Sequence, residues 1–152
     1  MPIAYGIDRE KRLVVALPYG TMEDADVFGY QREVWSLPDV AGFDELIDMT
    51  DVQHIALPSA QRVVDLAELS AGMEAGGEKG RRPARMAIVA PSDLAFGLGR
   101  MYQAYRAMKG QGVPRQVGVF RTMAEALEFL GIEGGPQEAE RLLGLARNRN
   151  LR

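Results

Sequence analysis

The chain has 152 residues, 47% hydrophobic and 26% charged, with a formal net charge of −3, a size and balance that suit one domain with a real core and argue against a nucleic-acid partner, which favours strongly basic domains. Cysteine is absent, so disulfides and thiolate metal sites are excluded. No stretch approaches the ~18 uninterrupted apolar residues of a membrane span, and the start Met1-Pro-Ile-Ala-Tyr-Gly6 lacks the basic and apolar regions of a secretory signal, so a cytoplasmic location is expected.

Ile3, Tyr5 and Ile7 alternate, as do Leu13, Val15 and Leu17, with the charged turn Asp8-Arg9-Glu10-Lys11 between them; this reads as a β-hairpin. Pro18 and Gly20 close its second strand. Thr21 followed by Asp24 resembles a helix-capping arrangement, and the helix is expected to reach Leu37, with Ala25, Phe28 and Trp35 on one face, before Pro38 ends it. Phe43 to Met49 holds the next strand, and Thr50 to His54 reads as polar loop. Pro58 and Ser59 open a second helix whose apolar positions are Val63, Leu66, Ala67, Ser70 and Met73. The basic loop Gly76-Gly-Glu-Lys-Gly-Arg-Arg-Pro83 then leads to the central stretch.

That stretch begins with the apolar run Met86 to Ala90, short enough for a strand buried on both faces. Pro91 stops it, and Ser92 or Asp93 can cap the following helix. Leu94, Leu98, Met101, Tyr105 and Met108 recur at helical spacing and predict the face laid on the sheet. Gly97 and Gly99 sit inside the helix rather than in the strand-to-helix turn, so they do not form a dinucleotide fingerprint, and close packing on the sheet or on a neighbouring subunit is the expected reason for them. After the glycine-rich connection Lys109 to Pro114 comes a short strand, Gln116 to Phe120. Thr122 with Glu125 is a capping box, Ala126, Leu127 and Leu130 give the next helix its inner face, and Gly131 ends it. Gly134-Gly135-Pro136 precedes a last helix, Gln137 to about Arg147. The order ββαβαβαβα plus a terminal helix predicts an α/β domain with a mixed five-stranded sheet and helices packed on it.

Three phrases carry a family resemblance: Glu45-Leu-Ile-Asp-Met-Thr-Asp-Val52, Ala84 through Tyr102, and Val119-Phe-Arg-Thr-Met-Ala-Glu-Ala-Leu127. With the element order, they resemble the STAS domain of the sporulation anti-anti-sigma factors, and more closely the bacterial SpoIIAA-like group, which is related in fold to CRAL-TRIO lipid-transfer domains and largely uncharacterised in function. The resemblance implies a SpoIIAA-like domain over 1–131 with a helical extension over 132–152. In phosphorylatable STAS proteins an aspartate-containing strand precedes Asp-Ser-Ser-Gly at the next helix start. Asp48 matches that strand aspartate, but Ala56-Leu57-Pro58-Ser59 stands where the serine motif belongs. Ser59 is therefore the one candidate phosphosite, and helix capping is preferred for it.

No catalytic or metal-binding signature is present, and no cofactor is expected. His54 is the sole histidine, which makes neither a triad nor a zinc site by itself, and Asp48 and Asp51 have no adjacent nucleophile. The turn Ser92-Asp93 lies at the carboxyl end of a strand, the edge where open α/β sheets bind ligands, although Asp93 can fill that site internally. Periodicity makes most of Phe28, Trp35, Phe96, Met101, Tyr102 and Tyr105 core residues; the alternative is a shallow apolar cleft near Trp35, Phe96, Tyr102 and Tyr105 with Arg100 or Tyr102 as polar anchor, and CRAL-TRIO domains house lipids in such a place, which the resemblance adds. Basic residues gather at Lys79, Arg81, Arg82 and Arg85 and at Arg141, Arg147, Arg149 and Arg152, and solvated loop and tail are preferred over peripheral membrane contact. The expected function is non-catalytic: a regulatory or scaffold module contacting another protein or itself as a homodimer, with a binder of a small apolar or amphipathic ligand as the alternative.

Overall fold

A computed structural model describes residues 3–56, 59–73, 83–108 and 115–150. The first hairpin joins β1 (Ile3–Asp8) to β2 (Leu13–Pro18). Its turn is tightened by the Asp8 carboxylate, which accepts the Lys11 amide N–H at 3.0 Å. β4 (Asp44–Asp48), β6 (Arg85–Val89) and β7 (Gln116–Phe120) complete a five-stranded sheet in the order β1-β2-β4-β6-β7. β1 and β2 are antiparallel, and every other neighbouring pair is parallel. All six residues of β2 are buried, as a strand covered on both faces requires.

Side-chain alternation sorts the core into two layers. Leu13, Val15, Leu17, Leu46, Ala87 and Val89 face α4 (Met123–Leu130) and α5 (Gly135–Asn150). Val14, Ala16, Met86 and Ile88 face the opposite way, toward α1 (Asp24–Trp35), α2 (Ala60–Met73) and α3 (Asp93–Met108). The segment read as an extension after residue 131 places Leu142, Leu143 and Ala146 in the first layer. α5 lies so close to β1 that a Cβ added at Gly6 would come within 2.6 Å of the Leu145 backbone.

Several local expectations are met. Thr122 accepts the Glu125 amide N–H, and Gly131 closes α4 with a left-handed φ of 73°. Four others are corrected. Thr21 does not start the first helix: Gly20–Glu23 forms a short strand, β3, and the helix begins at Asp24, where Asp26 accepts the Glu23 N–H at 3.0 Å. The polar stretch after Met49 is not loop, because Val52–Ala56 forms β5 and pairs in parallel with β3 as a separate two-stranded sheet. Neither strand has the apolar alternation that would mark it, since each is stabilised by backbone pairing with a partly exposed neighbour. On the first helix, Ala25 is exposed and Tyr30 and Gln31 are buried instead.

α3 also departs from its predicted face. Its buried face is Ala95, Gly99, Tyr102 and Arg106, one position along from the predicted stripe, while Leu94 and Met108 are 59% and 78% exposed. Small residues let the helix backbone approach the sheet, and a Cβ at Gly99 would sit 2.9 Å from Val119 Cγ1. Close approach thus outweighs side-chain hydrophobicity in choosing the face. Gly97 does not share this role, for a Cβ there would meet open space.

Polar contacts fasten α5 to the hairpin. Arg141 pairs with Asp8 at 2.6 Å and with Glu138 at 2.7 Å. Burial pushes the Asp8 carboxyl up, but the Arg141 hydrogen bond, the Lys11 N–H and both positive charges outweigh it and leave it below its ordinary 3.8. Glu138 is held below its ordinary 4.5, chiefly by its Arg141 hydrogen bond. Folded values lower than unfolded ones mean that this stabilisation is complete above the ordinary carboxylate range and disappears as pH falls through the folded values. Arg141→Met is therefore expected to lower stability at pH 7 and to flatten the acid limb below about pH 4.5. Urea unfolding midpoints measured from pH 7 to pH 3 check this, and parallel acid limbs in the two proteins would contradict it.

Candidate functional site

Three helices roof the second face of the sheet without filling it. Between them and β2, β4 and β6 lies a cavity of about 120 Å³, lined largely by apolar groups such as Ala16, Ile47, Ile88, Ala95, Leu98 and Gly99. The small residues Ala16 and Ala95 leave space that larger side chains would occupy, and Gly99 lines it where α3 comes closest to the sheet.

The charged residues of the lining are Asp24, Glu45 and Arg62, and each has an opposite charge beside it. At one edge Arg62 Nε donates to Asp24 at 2.8 Å, linking α2 to α1, and its guanidinium lies 4.3 Å from the Phe28 ring centre. These hydrogen bonds and charges raise Arg62 and lower Asp24 from their ordinary values, in each case with the partner's hydrogen bond as the main cause and burial opposing.

Deeper, the Glu45 carboxylate on β4 receives Tyr30 Oη at 2.5 Å, Trp35 Nε1 at 3.2 Å and Arg115 Nη1 at 3.1 Å. The side chains of Arg115 and Glu45 are 4% and 2% exposed. Arg115 also donates to the Phe43 carbonyl at 3.0 Å and stacks 4.1 Å from the Trp35 ring centre. The pairing is matched in shape as well as charge, since the planar guanidinium meets a carboxylate on its edge and an aromatic on its face. Burial, followed by the negative charge of Glu45, holds the Tyr30 hydroxyl protonated well above its ordinary range.

The residues anticipated from sequence do not form one cleft. Tyr102 lines the cavity, with Arg106 Nη1 donating to its hydroxyl at 3.1 Å. Trp35 belongs to the Glu45 network. Ser92 caps α3 by accepting the Ala95 N–H at 3.1 Å. Asp93 does not cap: its side chain is 98% exposed and pairs with Arg121 at 2.9 Å. Arg121 in turn covers the half-buried Phe96 ring at 4.1 Å, while Arg100 is exposed and Tyr105 is half-buried. The turn and the outer face of α3 are thus surface, separate from the cavity beneath.

Glu45, Arg115, Tyr30, Asp24 and Arg62 were not anticipated. The available signal was the strand period, which puts Glu45 on the same face as Ile47 and hence inside. Nothing local marked Arg115 as its partner, because the two are 70 residues apart. Among the basic clusters, Arg85 donates to the Phe129 carbonyl, and Arg141 and Arg147 pair with acids on α5. Lys79, Arg81, Arg82 and Arg152 lie outside the described residues, as do Pro58 and the side chain of Arg149. Among the described residues no group of three or more His, Asp or Glu is placed to hold a metal ion, and no helix is long and apolar enough to cross a membrane.

The chain is similar to a solved structure of an uncharacterized protein from the DUF3478 family with a SpoIIAA-like fold, from Shewanella loihica PV-4; the two share 22% identity over 84% of this chain and 93% of that one, with a TM-score of 0.52. The fold is SpoIIAA-like. No protein-family model matches the chain, and no curated protein does. Within the SpoIIAA-like sheet, Asp48 ends β4 and accepts both the Thr50 amide N–H, at 3.0 Å, and its hydroxyl, at 2.5 Å. Ser59 is exposed immediately before α2, with its carbonyl receiving the Arg62 N–H at 3.2 Å.

The buried ion pair gives a direct test. Glu45→Gln leaves the Arg115 guanidinium without its countercharge in a dry site and is expected to cost about 3–5 kcal/mol. Removing both charges, with Glu45→Gln and Arg115→Met together, is expected to recover a large part of that loss, because the stranded charge goes with the second change. Urea denaturation of the three variants measures the cycle. Additive losses would show that the two side chains do not act as a pair.

Proposed function

We propose that this is a cytoplasmic, non-catalytic binding module whose ligand is a small apolar molecule, or the apolar end of an amphipathic one, held between the sheet and α1–α3. One observation carries this reading: the apolar cavity of about 120 Å³, with the charges on its lining already matched by protein partners. An engineered apolar cavity of about 150 Å³ binds benzene or xenon, whereas pockets for drug-sized ligands run from about 300 to 1,000 Å³. The buried part of the ligand is accordingly about the size of one ring or a short alkyl chain, and uncharged. A polar end, where there is one, belongs at the edge, beside Asp24 and Arg62.

Freshly purified protein examined by native mass spectrometry is expected to retain a small non-covalent mass, and benzene is expected to raise the melting temperature saturably. Ala95→Leu, which extends a side chain from α3 into the space, is expected to abolish both effects while changing stability by less than about 2 kcal/mol. Absence of any retained mass together with no response to benzene would overturn the proposal.

A second reading, self-association or contact with a regulatory partner, would use the outer face of α3, where Leu94 and Met108 are exposed at its two ends. In its homodimer form it predicts a concentration-dependent dimer in sedimentation equilibrium that Leu94→Asp with Met108→Asp disperses. A monomer at every concentration would remove that form.

A further inference from the structure

The opposite face of the molecule carries a second concavity, independent of the cavity and its proposed ligand. Where α4 turns through Gly131–Pro136 into α5, the two helices leave a groove of about 670 Å³. Its floor is apolar, made by Met123 and Leu127 from α4, Ile132 from the turn and Leu143 from α5. The charges that line it are of one sign: Asp48, Glu128, Glu133 and Glu140, with no lysine or arginine among the lining residues.

These carboxylates are not all committed elsewhere. Asp48 is buried and turned to Thr50, and Glu140 meets Arg147 at 3.3 Å. Glu128 and Glu133 are exposed, and neither meets a cation among the described residues. An apolar floor under a rim of one sign favours an occupant that is apolar on one side and positive around it. A basic amphipathic helix has that pattern, with large apolar side chains at helical spacing and Lys or Arg beside them. The volume holds a few such anchors rather than a whole helix, so the helix would lie across the groove and insert them. We infer that the α4–α5 groove is a docking surface for a basic amphipathic helical segment of a partner protein.

The probe is a fluorescein-labelled 18-residue peptide of leucine and lysine in helical period, with a leucine–glutamate peptide of the same apolar pattern as its control. Fluorescence anisotropy at physiological ionic strength is expected to show saturable 1:1 binding of the lysine peptide and none of the glutamate peptide. Glu128→Lys, Glu133→Lys and Glu140→Lys together are expected to weaken binding about tenfold, the scale of three surface charge pairs. Ala124→Trp, at an exposed α4 position on the groove lining, is expected to obstruct docking without touching the core. A matched reversal on other surfaces, Glu10→Lys, Glu33→Lys and Asp51→Lys, is expected to leave affinity within about twofold. No binding, equal binding of the two peptides, equal loss in both charge reversals, or undiminished binding to Ala124→Trp would each overturn the inference. Circular dichroism of each variant separates loss of docking from loss of fold.

Discussion

Glu45 and Arg115 are held together almost wholly out of water, and the roofed face of this molecule is built around them. Burying two charges is unfavourable unless the geometry satisfies both. Here the carboxylate accepts from an arginine, a tyrosine and an indole, while the guanidinium also serves a carbonyl and an aromatic face. Those partners come from β4, from α1 and from the approach to β7. Apolar contacts alone allow a helix to slide along a sheet with little penalty. A hydrogen-bonded pair has one geometry, so the seat of α1 relative to Glu45 is fixed by direction as well as by area.

The consequence is an asymmetry between the two layers. On the α4–α5 side, leucines and valines from five elements interlock, and Gly6 admits α5 close enough to touch strand backbone. On the other side α1 is tied to the sheet through Tyr30 and Trp35, two large side chains, while α3 is drawn down by Gly99 and Ala95. A roof supported at one edge by aromatics and at the other by small residues does not close evenly on the sheet. Space is left between the supports, and the Arg62–Asp24 bridge spans the helices above it. The cavity thus follows from which residue sizes sit at which crossing.

Much of the fold was legible in the sequence because it is written in local patterns. The hairpin, three parallel strands, Gly131 and the Thr122–Glu125 cap all rest on alternation or on residues with special backbone roles. β3 and β5 were not legible, since Gly-Thr-Met-Glu and Val-Gln-His-Ile-Ala gain their order from each other, across 32 residues from Gly20 to Val52. The α3 face was misplaced for a related reason. Periodicity weighs hydrophobicity, whereas the sheet selected the row that allowed closest approach, Ala95, Gly99 and Tyr102. The candidate site was least legible of all: Tyr102 and Trp35 were found by their bulk, but Glu45 with Arg115 and Asp24 with Arg62 are long-range pairs whose members look like ordinary surface charges one at a time.

A strand with a period of two also explains how one short phrase serves both surfaces. Along β4, Glu45 and Ile47 face the roofed cavity, whereas Leu46 enters the opposite layer and Asp48 reaches the lining of the α4–α5 groove. Neighbouring residues therefore report to different faces, and the hydrogen-bonded sheet stands between them. Parallel neighbours on both sides of β4 hold its backbone in register, so side chains on one face can rearrange around an occupant while the other face keeps its shape. A coupling between the two would have to travel through the sheet edge or the helix ends. The fold thus gives the two surfaces a common strand without requiring that occupation of one alter the other.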